Sequence, residues 1–98
     1  MIIKRPSPDP DRVLVTFQLP ATIWAETVCL VGDFNDWNRH SHPLKRVESG
    51  FWQIVVELPA HGTYQFRYLV DGSGWLNDWN ADRYVPNPFG GDNSVLDT

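Results

Sequence analysis

Alternation of apolar and polar positions dominates this chain. From Arg12 to Leu19, Val13, Val15, Phe17 and Leu19 fall on one side and Leu14, Thr16 and Gln18 on the other, the period-two pattern of a strand with one buried face. Pro20 ends it, and Ala21 to Glu26 is a connection whose Trp24 leans to packing. Val28 to Val31 is a continuous apolar run, read as a buried strand, that stops at Gly32. Asp33 to Trp37 reads as a tight turn, because Asn and Asp bond back to their own backbone and tolerate left-handed conformations. The loop then runs to about Lys45.

Phe51 to Leu58 alternates again, with Trp52, Ile54, Val56 and Leu58 on one side. Pro59-Ala60-His61-Gly62 is a connection of hairpin length. Thr63 to Val70 answers it, with Tyr64, Phe66, Tyr68 and Val70 inward. Thr63, Gln65, Arg67 and Leu69 therefore face outward. Asp71-Gly72 is a turn signal, Trp75 to Asn77 a short strand, Asn80 to Gly91 a long irregular segment, and Asn93 to Leu96 the last strand. No stretch keeps a helical period over three turns. Short strands with frequent turn signals predict an all-β antiparallel sandwich.

Composition narrows the picture. Ninety-eight residues make one domain. Met1 to Asp11 is polar and proline-punctuated and reads as a mobile or loosely docked arm, leaving residues 12–98 as the folded domain. Aromatics reach 13%, five of them Trp, more than a small core needs. A net charge of −4 without a basic stripe argues against nucleic acid. No window reaches the roughly 18 apolar residues of a membrane span, and the start lacks the apolar core of a signal peptide. A lone Cys29, expected to be buried, excludes an internal disulfide and fits a reducing compartment. These features predict a soluble cytoplasmic protein.

Trp37 sits among Asn35, Asp36, Asn38, Arg39 and His40, and Trp75 and Trp79 lie in similarly polar, loop-rich surroundings. A sugar ring has a face of C–H groups and a rim of hydroxyls, and an indole supplies a matching flat, electron-rich face. Arg67, Asn77, Asp78 and Asn93 could bond the hydroxyls. The competing reading is that these tryptophans plug the ends of the sandwich; Trp52, on the apolar face of its strand, is assigned to the core. Asp78-Trp79-Asn80-Ala81-Asp82 has the alternating oxygens of a calcium loop, but Arg83 stands where that loop needs Gly and Phe89 where it needs Glu. His40, His42, His61 and Cys29 do not form a zinc pattern. The acids are scattered, so neither a metal, a cofactor nor an enzyme is expected.

Four segments carry a resemblance: Val31-Gly32-Asp33-Phe34-Asn35-Asp36-Trp37, Gly50-Phe51-Trp52, Tyr64 to Gly72, and Asn93-Ser94-Val95-Leu96. Together they resemble the glycogen-binding domains, carbohydrate-binding module family 48, found in the β subunit of AMP-activated kinase and before the barrels of branching enzymes and isoamylases. The resemblance covers about Arg12 to Asp97. It implies an immunoglobulin-like antiparallel β-sandwich that binds α-1,4-glucans such as glycogen, starch or malto-oligosaccharides without catalysis. In the sugar-binding members two tryptophans stack on glucose, matched here by Trp37 and Trp75. A basic residue, usually Lys, matches Arg67; an apolar clamp in the late loop matches Phe89; an asparagine opening the last strand matches Asn93. Gly91 stands where the kinase subunit has Thr. The resemblance also leaves a rival, a module that docks on a separate glycogen-metabolising enzyme or kinase without binding sugar. Because the chain ends at its last strand, it is expected to act without a fused catalytic domain.

Overall fold

The computed structural model describes residues 1–88 and 90–98. Its described residues form nine strands, one short 3-10 turn and no α-helix. The strands are β1 (Ile2–Pro6), β2 (Arg12–Leu19), β3 (Val28–Gly32), β4 (Lys45–Arg46), β5 (Trp52–Pro59), β6 (Thr63–Val70), β7 (Gly74–Leu76), β8 (Arg83–Pro86) and β9 (Asp92–Asp97). They build two antiparallel sheets, one ordered β1-β2-β5-β4 and the other β3-β6-β9-β8, with β7 also on β6. The expected immunoglobulin-like sandwich is the fold of this chain.

The alternation decides which side chains meet between the sheets. Val15, Phe17, Leu19, Trp52 and Leu58 come from the first sheet, and Val28, Leu30, Phe66, Tyr68 and Leu96 from the second. Phe66 stands edge-on to both Phe17, at 5.2 Å between centroids, and Tyr68, at 5.7 Å, a geometry that aligns ring edge with ring face. Trp52 is in this core, as assigned, and its indole N–H donates to Ile23 C=O.

Four expectations are corrected. Residues 2–6, placed in a mobile or loosely docked arm, form β1 and pair with β2 from Ile2↔Phe17 to Pro6↔Val13. Ile2 packs against the core, and β1 is a sheet edge closed by Pro6, where a missing N–H costs no ladder bond. The 59–62 connection is not a hairpin. β5 pairs with β2 and β4, whereas β6 pairs with β3, β7 and β9, so the chain crosses between sheets there. Its ends are tied into separate sheets by Ala60 N–H to Asp11 C=O and Thr98 N–H to Gly62 C=O. The segment 80–91, read as irregular, contains β8, which pairs with β9. Finally, Trp24 does not pack: it is 92% exposed, because its neighbours Ile23 and Ala25 turn toward the core and leave it the outer side.

Candidate functional site

β3, β6 and β7 form a platform on the outer face of the second sheet. β3 pairs with Phe66 to Val70 of β6 and β7 with Tyr68 to Val70, so the two flank β6. The β6–β7 turn has Asp71 and Gly72 both at positive φ, 52° and 75°, the backbone twist that suits tight antiparallel hairpins. This turn sets Trp75 directly opposite Leu69, one step from Arg67 on the same outward face.

Trp37 arrives from the other side. Gly32 ends β3 so close to β6 that a Cβ would lie 2.6 Å from Gln65 C=O and 2.7 Å from Phe66 Cβ. The Asn35 side chain then closes the turn, accepting from Gly32 N–H and donating to Leu30 C=O, both at 3.0 Å. Asp36 and Trp37 both take left-handed φ, 54° and 56°, unusual for a bulky residue and a conformation that persists only where surroundings hold it. Two bonds hold it here: Trp37 N–H donates to Gly32 C=O at 2.9 Å, and the indole Nε1–H donates to Asp33 Oδ1 at 2.9 Å. Asp33 Oδ2 accepts Gln65 N–H of β6 at 2.7 Å. The ring is thus fastened to the sheet through one carboxylate.

Trp37, Arg39, Arg67, Trp75 and Asn87 line a pocket of about 360 Å³. Two guanidinium groups lie over the Trp75 ring, Arg39 at 5.4 Å and Arg67 at 5.5 Å from its centroid, within cation–π range. Trp75 remains 37% exposed. A second pocket, about 340 Å³, shares Trp37 and Asn87 with the first and adds Asp33, Gln65, Pro88 and Asn93. The two adjoin at Trp37 and Asn87 and together make up the groove.

The structure therefore brings together Trp37, Arg67 and Trp75, with Asn93 at the adjoining end. Asn93 is only 6% exposed and its amide is engaged, donating to Gln65 Oε1 and accepting from Asn87 Nδ2, both at 3.0 Å. Phe89, assigned as the apolar clamp, lies outside the described residues. Asp33, Arg39, Gln65 and Asn87 were not singled out from sequence. Gln65 had a signal, since it shares the outward parity of Arg67; Arg39 and Asn87 sit in loops, where spacing says nothing about proximity.

Other candidates separate from this groove. Asp78, named as a hydroxyl partner, is buried, where its Oδ2 accepts Tyr68 O–H at 2.7 Å and its Oδ1 accepts Asn80 N–H. Burial pushes the Tyr68 hydroxyl well above its ordinary pKa, and the neighbouring Asp78 charge and hydrogen bond add to it. Asn77 is held by Asp92 C=O and Ser94. Trp79 is 64% exposed but lines a separate cleft with Met1, Leu19 and Phe51. Cys29, expected buried, is half-buried on the outer face, where desolvation raises its thiol pKa. Among the described residues no group of three or more His, Cys, Asp or Glu could hold a metal. No helix among them is long and apolar enough to cross a membrane.

Two indoles, two guanidiniums and amides make a surface suited to stacking and hydrogen bonding. Asp33 is the one carboxylate among the described residues lining the groove, and both its oxygens are occupied.

A family model, carbohydrate-binding module 48 (isoamylase N-terminal domain), matches residues 9–90. The 1,4-alpha-glucan branching enzyme GlgB of Deinococcus radiodurans is 42% identical over 65 residues, 63% of this chain and 9% of that protein. The corresponding enzyme of Novosphingobium aromaticivorans is 36% identical over 68 residues, 64% of this chain and 9% of that protein. The 1,4-alpha-glucan-branching enzyme of Felis catus is 50% identical over 46 residues, 40% of this chain and 7% of that protein. The chain spans less than a tenth of each of these relatives.

Proposed function

The chain belongs to the carbohydrate-binding module 48 family, and we propose that it is a noncatalytic module whose groove binds α-1,4-glucans such as glycogen, starch or malto-oligosaccharides. The observation that carries this reading is the placement of Trp37 and Trp75 on two sides of Arg67 in one open pocket. Each indole offers a flat face to the C–H side of a glucose ring, and Arg67 and the Gln65 amide offer partners to its hydroxyls, with Asn93 bonded to both Gln65 and Asn87 and so setting the end of the groove. Binding without chemistry fits the lining, because glycoside hydrolysis requires a pair of carboxyl groups across the bond and Asp33 is already spent on Trp37 and Gln65. An open site of this size should be weak, with Kd about 10 μM to 1 mM, or about −7 to −4 kcal/mol.

Isothermal titration with maltoheptaose tests the reading. Trp37→Ala and Trp75→Ala should each raise Kd at least about tenfold, in line with the 1.5–3 kcal/mol typical of a covered aromatic face. Parent-like binding by both variants would show that the groove is not the site.

A second reading has its own observation. Phe51 and Trp79 are exposed, 41% and 64%, and share a cleft away from the groove, while the relatives are branching enzymes far longer than this chain. This end would dock on a glycogen-metabolising enzyme or kinase in the cytoplasm. Titration of a glucan-branching enzyme into parent and Trp79→Ser, with and without glycogen, separates the two: glucan-independent binding lost in Trp79→Ser supports docking.

A further inference from the structure

We propose that Arg39 and Arg67 form an anion subsite within the groove, so that the preferred ligand is an α-glucan carrying a phosphomonoester. The inference rests on the reading that the groove binds glucan.

The chain has 8 Lys and Arg against 12 Asp and Glu, yet two of those cations converge on one pocket that no carboxylate lines among the described residues. Neither belongs to any ion pair among the described residues. Arg67 Nε is buried with no hydrogen-bond partner. Two carboxylates at these pockets have other partners: Asp33 holds Trp37 and Gln65 through both oxygens, and Asp71, which shares the neighbouring pocket with Arg39, accepts Glu26 and Thr27 N–H at Oδ1. Two like charges gathered over one ring repel each other, and the Trp75 π-face offsets that only in part. A dianion bound at this pocket relieves the repulsion, and a planar guanidinium fork suits phosphate better than a single hydroxyl.

Titration of maltoheptaose, the same oligosaccharide bearing one 6-phosphate, and inorganic phosphate alone decides it. The phosphorylated chain should bind about tenfold tighter than the neutral one at low salt, with the advantage shrinking as salt screens it. Arg39→Gln should bring the ratio of the two affinities close to one, and Arg39→Lys should restore part of it. Equal affinities in the parent, or a ratio that survives Arg39→Gln, overturn the anion subsite while leaving glucan binding intact. Inorganic phosphate binding as tightly as the phosphorylated chain overturns the glucan-borne source. No heat from maltoheptaose with the parent instead sinks the glucan reading itself.

Discussion

Asp33 and Trp37, four residues apart, are joined by a 2.9 Å bond from the indole N–H to Oδ1, while Oδ2 of the same carboxylate takes the β6 backbone at Gln65. A side chain in a loop is thereby given the positional constraint of a strand. Its left-handed φ of 56° is a strain that these bonds offset, and a ring held in place loses less entropy when a ligand lands on it.

Asp33→Ala should therefore weaken maltoheptaose binding about tenfold, near 1.4 kcal/mol, although Asp33 need not touch the sugar. Tryptophan fluorescence anisotropy of the free protein should fall as the ring is released. Unchanged affinity alongside lowered anisotropy would mean that ring placement does not limit binding.

Gly32→Ala places a methyl group 2.6 Å from a backbone carbonyl that cannot swing away. β3 must separate from β6 at the point where the Trp37 turn begins. We expect a loss of about 1–3 kcal/mol in unfolding free energy, typical of overpacking, measured by urea denaturation. A variant as stable as the parent would show that the strands have slack there.

Tyr68→Phe removes one donor from the buried Asp78 carboxylate. The cost should be about 1–3 kcal/mol, the penalty for a buried polar group losing a partner, with glucan affinity of the folded protein unchanged. The raised Tyr68 pKa has its own signature. Folding favours the neutral phenol, so this contribution is complete below the ordinary tyrosine value near 10 and is lost as pH rises toward the higher folded value. Alkaline unfolding that is the same in parent and Tyr68→Phe would refute it.

Asp82 predicts the opposite dependence at low pH. Burial pushes its pKa up, but the Asp97 N–H, the Lys4 ammonium at 2.7 Å and the Arg83 charge outweigh this and lower it. Folding thus favours the carboxylate. Its contribution is present above the ordinary aspartate value of 3.8 and disappears as pH falls through the lower folded value. Thermal midpoints of parent and Asp82→Asn, followed from pH 7 to pH 2.5, should differ at pH 7 and converge at the acid end. A gap that persists to the lowest pH would mean the charge is not what matters.

Strand positions were legible because each burial choice is local. Val15 and Phe17 must share a face once their segment is extended, and so must Phe66 and Tyr68. The outward parity of Arg67 followed in the same way. Neighbour identity was not legible in the 59–62 connection, because a four-residue link can either turn a hairpin or step between sheets. Only the competition for β5, whose edges are taken by β2 and β4, excludes the hairpin. Residues 2–6 look like an arm because charges and prolines fill them, yet Ile2 contributes to the core and an edge strand tolerates the rest.

For the groove, the sequence by itself determined the all-β sandwich, the turn after Gly32, the outward-facing Arg67, the loop position of Trp37 and the place of Trp75 in a short strand after the Asp71-Gly72 turn. These follow from strand periodicity and turn chemistry, which act over a few residues. The tertiary structure alone decided that Arg39 and Arg67 meet over one indole, that Asp33 fastens Trp37 to β6, that Asp78 is buried and that Trp24 is not. Those outcomes depend on which distant segments lie side by side, a property of sheet pairing and loop closure over the whole chain.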